Sequence, residues 1–510
     1  MRILILSVLV LGIAVRGADL GKKFYWVDEV HTSLRISGYT KADIAEALFD
    51  GRILEAEQLQ GYLVPTEDTQ VSDAIASLIQ HPEHPPLYYL LARFWVQALQ
   101  PWWQDSVAVL RSLSVVFGLA VLPGVYWLGR ELFPSRQAAG WAMAIAAISP
   151  LHILYAQEAR QYSLWTLMIV LSSAALVRAV CQSQWRAWAL YGITLVIGLY
   201  THYLFTLVAL GHGIYSVAIV AIAQFEPKHP SFQTLRHYLV TALLGVLTFM
   251  PWIIVTLMYR SQLQNAIDAT QRGASVSYLL NVWFRNLNRV FFSTDLATFN
   301  LLLVLLTIYA LYVLWHRTPI QVWLLVMTLI GTPATALVIG DVITGSIASS
   351  RIRYLIPCYL GIQLAIAHLF SVQITQSRQS RIWSGIAALV LTGSVVASVL
   401  NVQTDVTWIK SDKADYYLQI VEAINTSDRP LVISDSSPTY VLALSYRLNP
   451  TVHLELIGHP NQVEIPDEFE SIFLFDPSPR LQRTLTTTQR YQLETVVKQN
   501  ENFQLLKISR

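Results

Sequence analysis

Apolar runs, most of them near the length needed to cross a bilayer, recur along this chain as far as residue 401, and they restrict its fold more than any other property. They fall near 3–15, 107–128, 138–153, 162–180, 187–201, 203–223, 238–258, 297–315, 319–339, 354–371 and 383–401. A hydrocarbon core about 30 Å thick is crossed by roughly 17–25 helical residues. Inside it each segment must satisfy its own backbone N–H and C=O groups, so the runs predict α-helices and exclude open sheets. The expected fold is an all-α polytopic membrane protein with about eleven transmembrane helices. Of the 510 residues, 54% are hydrophobic and only 13% charged, about half the charge of a soluble domain. The 35 basic residues nearly balance the 33 acidic ones, which argues against nucleic acid as a partner, since that calls for a concentrated basic face. Cys181 and Cys358 lie at or in apolar runs, so no disulfide framework is expected.

Two segments decide the topology. The first run is short for a span, and a cleaved signal peptide is its alternative reading. Arg16 stands where a small-residue cleavage site would be, which favours a retained span with its N-terminus inside. Segment 86–100 is also short and carries Arg93 in its middle. A span there would put Arg130 and Arg136 outside, against the positive-inside tendency. It is therefore expected to lie as an interfacial helix on the outer membrane face. Inside loops then hold Arg130/Arg136, Arg178/Arg186, Lys228/Arg236, His316/Arg317 and Arg378/Arg381. Outside loops are 17–105, 154–161, 259–296 and 340–353. The expected division is a membrane domain over 1–401, with a large first extracytoplasmic loop over 17–105, and an extracytoplasmic tail over 402–510. The tail reads as a small α/β domain. Ser411-Asp412 can cap a helix with Tyr416, Ile420, Val421 and Ile424 at helical spacing. Leu431-Val432-Ile433 and Ile472–Phe475 read as short buried strands, with a helical stretch at Leu442–Tyr446 between them.

Residues with chemical potential gather in the outside loops. Asp28 and Glu29 follow the first span. Adjacent side chains on a helix diverge, so one carboxylate can face a site while the other makes supporting or metal contacts; a solvated loop start is the plainer alternative. His81-Pro82-Glu83-His84-Pro85-Pro86 comes next, its prolines denying a regular helix before Pro86. Glu83 and His84 are of a type that ligates a divalent metal, and a proline-rich lead into the interfacial helix competes evenly with that reading. Tyr155–Tyr162 forms a charged turn in which Arg160 can grip a phosphate through its planar fork; a Glu158–Arg160 turn that merely ends two helices is the alternative. His202 sits at another outer boundary, where a hydrogen-bonded interface residue is the commoner role. Arg351 and Arg353 precede Tyr354 at the start of an outer-side apolar run, against the charge bias, which favours anion binding. The 259–296 loop adds Arg260, Arg272, Arg285 and Arg289, which a solvated amphipathic helix would equally explain. No phosphate-cradling P-loop, dinucleotide fingerprint, paired-Cys zinc spacing or His-Glu-x-x-His occurs, so no nucleotide cofactor is expected. Asn425-Thr426-Ser427 matches a glycosylation sequon of a kind frequent by chance.

These motifs, in this order, resemble the GT-C superfamily of polyprenyl-phosphate-sugar-dependent glycosyltransferases. The branch is the family 39-like one of protein O-mannosyltransferases and lipid A aminoarabinose transferases. The resemblance rests on Asp28-Glu29, His84-Pro85-Pro86-Leu87-Tyr88-Tyr89, Gln157-Glu158-Ala159-Arg160-Gln161-Tyr162, Phe249-Met250-Pro251-Trp252 and Arg353-Tyr354-Leu355-Ile356-Pro357, and spans roughly residues 1–400. It implies a GT-C fold, a sugar donor carried on a polyprenyl phosphate, and an active site facing away from the cytoplasm. The acceptor would be a hydroxyl on a lipid, glycan or protein, and the transfer would invert the anomeric centre. Asp28 inherits the role of base, with Glu29 beside it. Arg160, Arg353, Tyr354, Tyr162 and His202 would bind the donor phosphate. Some members use a divalent metal near the first loop, for which Glu83 and His84 are the candidates. The chain departs from the family pattern in the extra His81-Pro82-Glu83, which leaves open which His and which acid hold the family position. The expected location is a cell membrane, in the multi-pass manner, the bacterial inner membrane being the compartment implied. Three other readings stand beside this one: a secondary transporter, a ligase or polymerase using a diphosphate-linked glycan, and a scaffold presenting the tail. Transporters usually show internal repeats and polar groups at mid-span, which this chain lacks.

Overall fold

The computed structural model describes residues 2–509 apart from 183, 224–231, 263, 265–272, 274, 459–464, 489–490 and 501–502. Lys228 and Arg272 thus lie outside the described residues. The chain divides into two compact units. One comprises Met1–Leu20, Leu78–Tyr88 and Arg111–Gln403; the other comprises Gly21–Ser77, Tyr89–Leu110 and Thr404–Arg510.

The first unit is built of helices. Among the described residues eight are long and apolar enough to cross a membrane, running from Ser106–Leu132 to Ser380–Gln403, and a bent pair makes a ninth. The other two expected spans form the helices Arg2–Gly17 and Trp185–Thr201, of 16 and 17 residues, which are not among the helices long and apolar enough to cross. The chain is thus a polytopic membrane protein, and the apolar runs marked its helices. Ile356–Gln376 is buried along most of its length, whereas Phe232–Met258 exposes Leu239, Leu243, Leu247 and Leu257. Such a ring of exposed leucines suits lipid rather than water.

The bent pair is Arg136–Ile148 and Pro150–Ala156, which meet at 59°. Pro150 has no N–H to continue the first helix and starts the second. The break frees carbonyls at Ala146, Ala147 and Ile148, and each finds a donor. Arg16 donates from Nη2 to Ala146 O at 2.9 Å and from Nη1 to Ala147 O at 2.5 Å. The Ser398 hydroxyl donates to Ile148 O at 2.9 Å. Arg16 is thus a buried helix-end cap contributed by the first span. The second half-helix then delivers Gln157–Tyr162 to its place.

The second unit carries a six-stranded sheet in the order β1-β3-β2-β4-β6-β5. Its strands are β1 Asp50–Glu55, β2 Pro430–Ser434, β3 His453–Ile457, β4 Ser471–Phe475, β5 Gln492–Asn500 and β6 Phe503–Ser509. β3, β2 and β4 run parallel; β1 pairs antiparallel with β3, and β6 with β4 and β5. Alternate residues face opposite sides. Val432, Leu454, Phe473 and Phe475 enter a core with Tyr417 and Ile420 of the helix Ser411–Asn425. Leu431, Ile433, Ile472 and Leu474 enter a second core with Leu481 and Leu485. Burial on both faces is why β2 and β4 read as unbroken apolar runs. The helix expected at Leu442–Tyr446 occupies Pro438–Ser445, because Pro438 serves as its first residue. Segment 86–100 forms the 13-residue helix Leu87–Leu99, with Arg93 turned inward onto the carbonyls of Ile36 and Thr69. At about 1.5 Å per residue it is too short to span.

Candidate active site

In the membrane unit, five loops and helix ends bring the polar candidates together. His202 ends the helix Trp185–Thr201 in extended backbone. Its Nδ1 accepts the Leu204 N–H at 3.1 Å. That bond fixes the tautomer, placing the ring proton on Nε2. Burial, followed by the charges of Arg160 and Arg353, lowers the His202 pKa to about 3. The imidazole is therefore a neutral N–H donor across the physiological range. Its Nε2 is buried and has no hydrogen-bond partner among the described residues. The ring stacks on Trp165 at 4.3 Å between centroids and lies 5.9 Å from Tyr162 and 6.3 Å from Tyr354.

Arg353 joins this frame. Its guanidinium lies over the rings of Tyr162, at 5.8 Å, and Tyr354, at 5.5 Å, a range in which a cation is drawn to a π face. Arg160 is buried and reaches His84, Nη2 to Nε2, at 2.9 Å. Since an arginine only donates, His84 Nε2 is the acceptor. Nδ1 then carries the proton and lies 3.1 Å from the Gln161 amide nitrogen, so the two make a hydrogen bond once the amide is turned to present its oxygen. The backbone of Arg160 is held as well, its carbonyl accepting from the Ser114 hydroxyl at 3.3 Å. Gln157, one turn earlier, donates to Val15 O at 2.8 Å and Ala18 O at 3.0 Å. The 81–86 turn is anchored by Tyr203, whose hydroxyl contacts Pro82 O at 2.7 Å and takes the Trp252 indole N–H at 2.9 Å. The structure thus assembles His84, Arg160, Tyr162, His202, Arg353 and Tyr354 in one unit. Gln161 and Trp165 complete the group. An apolar groove of about 490 Å³ runs along Trp188–Ile197 and Thr241–Thr248, on the same helix that His202 terminates.

Glu83 and His84 do not fit a metal as arranged. Both ring nitrogens of His84 are engaged, one by a guanidinium, and a cation there would sit beside a like charge. Glu83 faces His81 instead, Oε1 to Nδ1 at 3.6 Å. Among the described residues no group of three or more His, Cys, Asp or Glu side chains is placed to hold a metal ion.

The acidic pair belongs to the other unit. Asp28 and Glu29 open the helix Val27–Ser37, where carboxylates favour the positive end of the helix dipole. Glu29 is buried and folds back, its Oε2 accepting the Trp26 backbone N–H at 3.4 Å. Asp28 stays about one-third exposed and meets Lys410 Nζ at 3.5 Å. Lys410 also lies 5.7 Å above the Trp26 ring, and Trp26 meets Tyr417 edge-on at 5.7 Å. Lys410 is the partner that sequence reasoning missed; no local pattern links it to residue 28.

The family described as dolichyl-phosphate-mannose-protein mannosyltransferase matches residues 83–255. No curated protein matches the chain by sequence. ArnT from Cupriavidus metallidurans in the apo state superposes with a TM-score of 0.55 at 11% identity, covering 99% of this chain and 97% of that one. ArnT bound to undecaprenyl phosphate gives 0.53 at 11% identity, with the same coverage. The oligosaccharyltransferase of Archaeoglobus fulgidus, tethered with an acceptor peptide containing the NVT sequon, gives 0.47 at 14% identity; the alignment covers 88% of this chain and 64% of that one. At these identities the ArnT likeness is one of fold, and it extends over nearly the whole of both chains.

Proposed function

We propose that this chain, a polytopic membrane protein of GT-C fold, is a glycosyltransferase that takes a sugar from a polyprenyl phosphate and passes it to an acceptor hydroxyl on the extracytoplasmic side. The observation that carries the reading is the convergence of Arg160, Arg353 and the neutral His202 N–H, framed by Tyr162 and Tyr354. These are donors only, and together they suit the oxygens of a phosphate monoester or diester. The family match over residues 83–255 and the ArnT fold, seen with undecaprenyl phosphate in that protein, support a lipid phosphate as the ligand. The groove beside the helix ending at His202 offers an apolar bed for an isoprenoid tail.

The acceptor hydroxyl is a poor nucleophile until its proton is taken, and a carboxylate within hydrogen-bond reach can take it. We assign that proton to Asp28. The acceptor oxygen bonds to the anomeric carbon as that carbon's bond to the phosphate oxygen breaks, and the carbon inverts. The electron pair leaves with the polyprenyl phosphate. Because the leaving group is a phosphate, no second carboxylic acid has to protonate it, in contrast to glycosidases. The charge that builds on it is met by Arg160, Arg353 and His202. Glu29 holds the start of the helix that carries Asp28. The acceptor is a lipid, glycan or protein hydroxyl, and the membrane is a cell membrane, the bacterial inner membrane in the favoured reading.

The test is donor turnover by the purified protein. Wild type and Asp28→Asn are offered a panel of polyprenyl-phosphate and polyprenyl-diphosphate sugars, with and without a chelator. We expect one donor to be consumed by the wild type and a loss of at least 100-fold in the variant, within the range of general base catalysis, ~10²–10⁴. Near-normal turnover in Asp28→Asn would remove Asp28 from the chemistry. Turnover of only diphosphate-linked donors would move the protein to the ligase class.

A further inference from the structure

We infer that Asp341 is the positioning residue for Arg353. It rests on the reading of Arg353 as a donor-phosphate ligand. Asp341 lies in the last turn of Ile320–Thr344, and its carboxylate is buried. An acid at the end of a membrane helix is costly and persists where it meets fixed partners. Here the partners are donors of the segment that follows. Oδ1 accepts the Ala348 N–H at 2.8 Å, and Oδ2 accepts the Ser349 N–H at 2.7 Å. The Ser346 hydroxyl also donates to Oδ1. The chain can double back this sharply because Gly345 takes a left-handed conformation, φ +70°, as it leaves the helix.

A second element grips the same loop from the other side. Trp283 and Asn286 stand one turn apart on Val276–Phe292. The Trp283 indole N–H lies 3.1 Å from Ser349 O and 3.2 Å from its hydroxyl, and the Asn286 amide donates to Ser350 O at 2.9 Å. The loop passes from Arg351 directly into the short turn Ile352–Leu355, closed by Tyr354 N–H to Arg351 O at 2.9 Å. Arg353 sits in that turn. Fixing residues 346–350 from both sides therefore fixes the direction from which its guanidinium crosses Tyr162 and Tyr354.

The chemistry requires an acid here. Three donors converge on two oxygens, so an acceptor-only group satisfies all of them. Asparagine in either orientation would turn its own NH₂ toward a donor. Asp341→Asn keeps the shape and breaks the contact, while Trp283→Phe keeps the ring and removes one donor.

The test is a double-mutant cycle on the full-length protein in nanodiscs, with undecaprenyl phosphate and the uncharged undecaprenol as probes. We expect Asp341→Asn to weaken undecaprenyl phosphate binding about tenfold and leave undecaprenol unchanged. Trp283→Phe should act in the same direction by a smaller factor. In an Arg353→Ala background neither should cost anything further, because the group they aim is gone. Equal losses in both backgrounds, or wild-type binding by both variants, would overturn the positioning role. Equal retention of the two probes by the wild type would overturn the phosphate reading of Arg353 itself, and the positioning role with it.

Discussion

Single side chains in this protein decide protonation as much as contact. His202 illustrates one direction: its Nδ1 is committed to the Leu204 N–H, and burial, helped by two arginines, holds the ring neutral. Replacing Arg160 by alanine should raise the donor concentration needed for half-maximal turnover roughly 10- to 100-fold, the weight of a hydrogen bond to a charged group, with the acceptor requirement unchanged. Steady-state kinetics with each substrate varied in turn would check this. Asp476 illustrates the other direction. It follows β4 with φ +44°, and burial raises its pKa to about 7, although the Tyr416 hydroxyl and the Gln504 N–H both favour its charged form. An unfolded aspartate titrates near 3.9. The folded state therefore holds the proton more tightly, so this group's stabilisation is full below about pH 4, falls as pH rises toward 7, and is flat above. A shift of that size is worth on the order of 4 kcal/mol. Melting between pH 5 and 8 should show the fall, and Asp476→Asn should flatten it. In the sequence, Asp476 is one more aspartate after an apolar run, because nothing local reveals that Tyr416 and Gln504 will close over it.

Elements were legible where their cause is local. The apolar runs mark the membrane helices because hydrocarbon enforces one solution. The leucines, valines and isoleucines of β2 and β4 mark a sheet buried on both sides. Contacts between distant segments left no trace to read. His84 and Arg160 meet at 2.9 Å, yet each lies in its own proline-rich or polar turn, and neither turn encodes the other. Asp341 stands in the sequence only as the single acid ending a long apolar run, with no local mark of the loop it holds. Arg16 drew attention only as an obstacle to peptide cleavage, whereas it caps the broken end of another helix. Arg16→Leu should accordingly cost about 3 kcal/mol, since it leaves carbonyls at Ala146 and Ala147 unpaired. It should also weaken donor binding, because the half-helix beyond the break leads into the turn that holds Arg160. Denaturant unfolding in micelles would measure the first effect. An unaltered midpoint would mean that Ser398 and the break itself suffice.

At the scale of the whole molecule the chain is interleaved rather than modular. β1 comes from the first polar loop, and its partner β3 comes from the tail. Paired strands share one side of a membrane, so reporters inserted within 17–105 and after 402 should give the same answer, outside in our reading. Opposite answers would contradict the sheet. Removing 404–510 should also not be a neutral truncation, because Phe24, Val30, Leu34 and Ile44 share a core with Ile420, Leu442 and Phe473. Limited proteolysis should find residues 21–77 protected in the intact chain and cut rapidly in the shortened one. β1 was not legible for the same reason: Asp50-Gly51-Arg52-Ile53 has no strand-like alternation to declare itself. The pairing also sets a timetable for biosynthesis. Asp50 leaves the ribosome well before Ile457, which it faces, with every intervening span made between them. At roughly 5–20 residues per second, an unpaired strand edge waits tens of seconds while the intervening spans are inserted one after another. A nascent chain that stalls in that interval presents an incomplete sheet to quality-control proteases, so cells should hold finished protein or fragments, and little between.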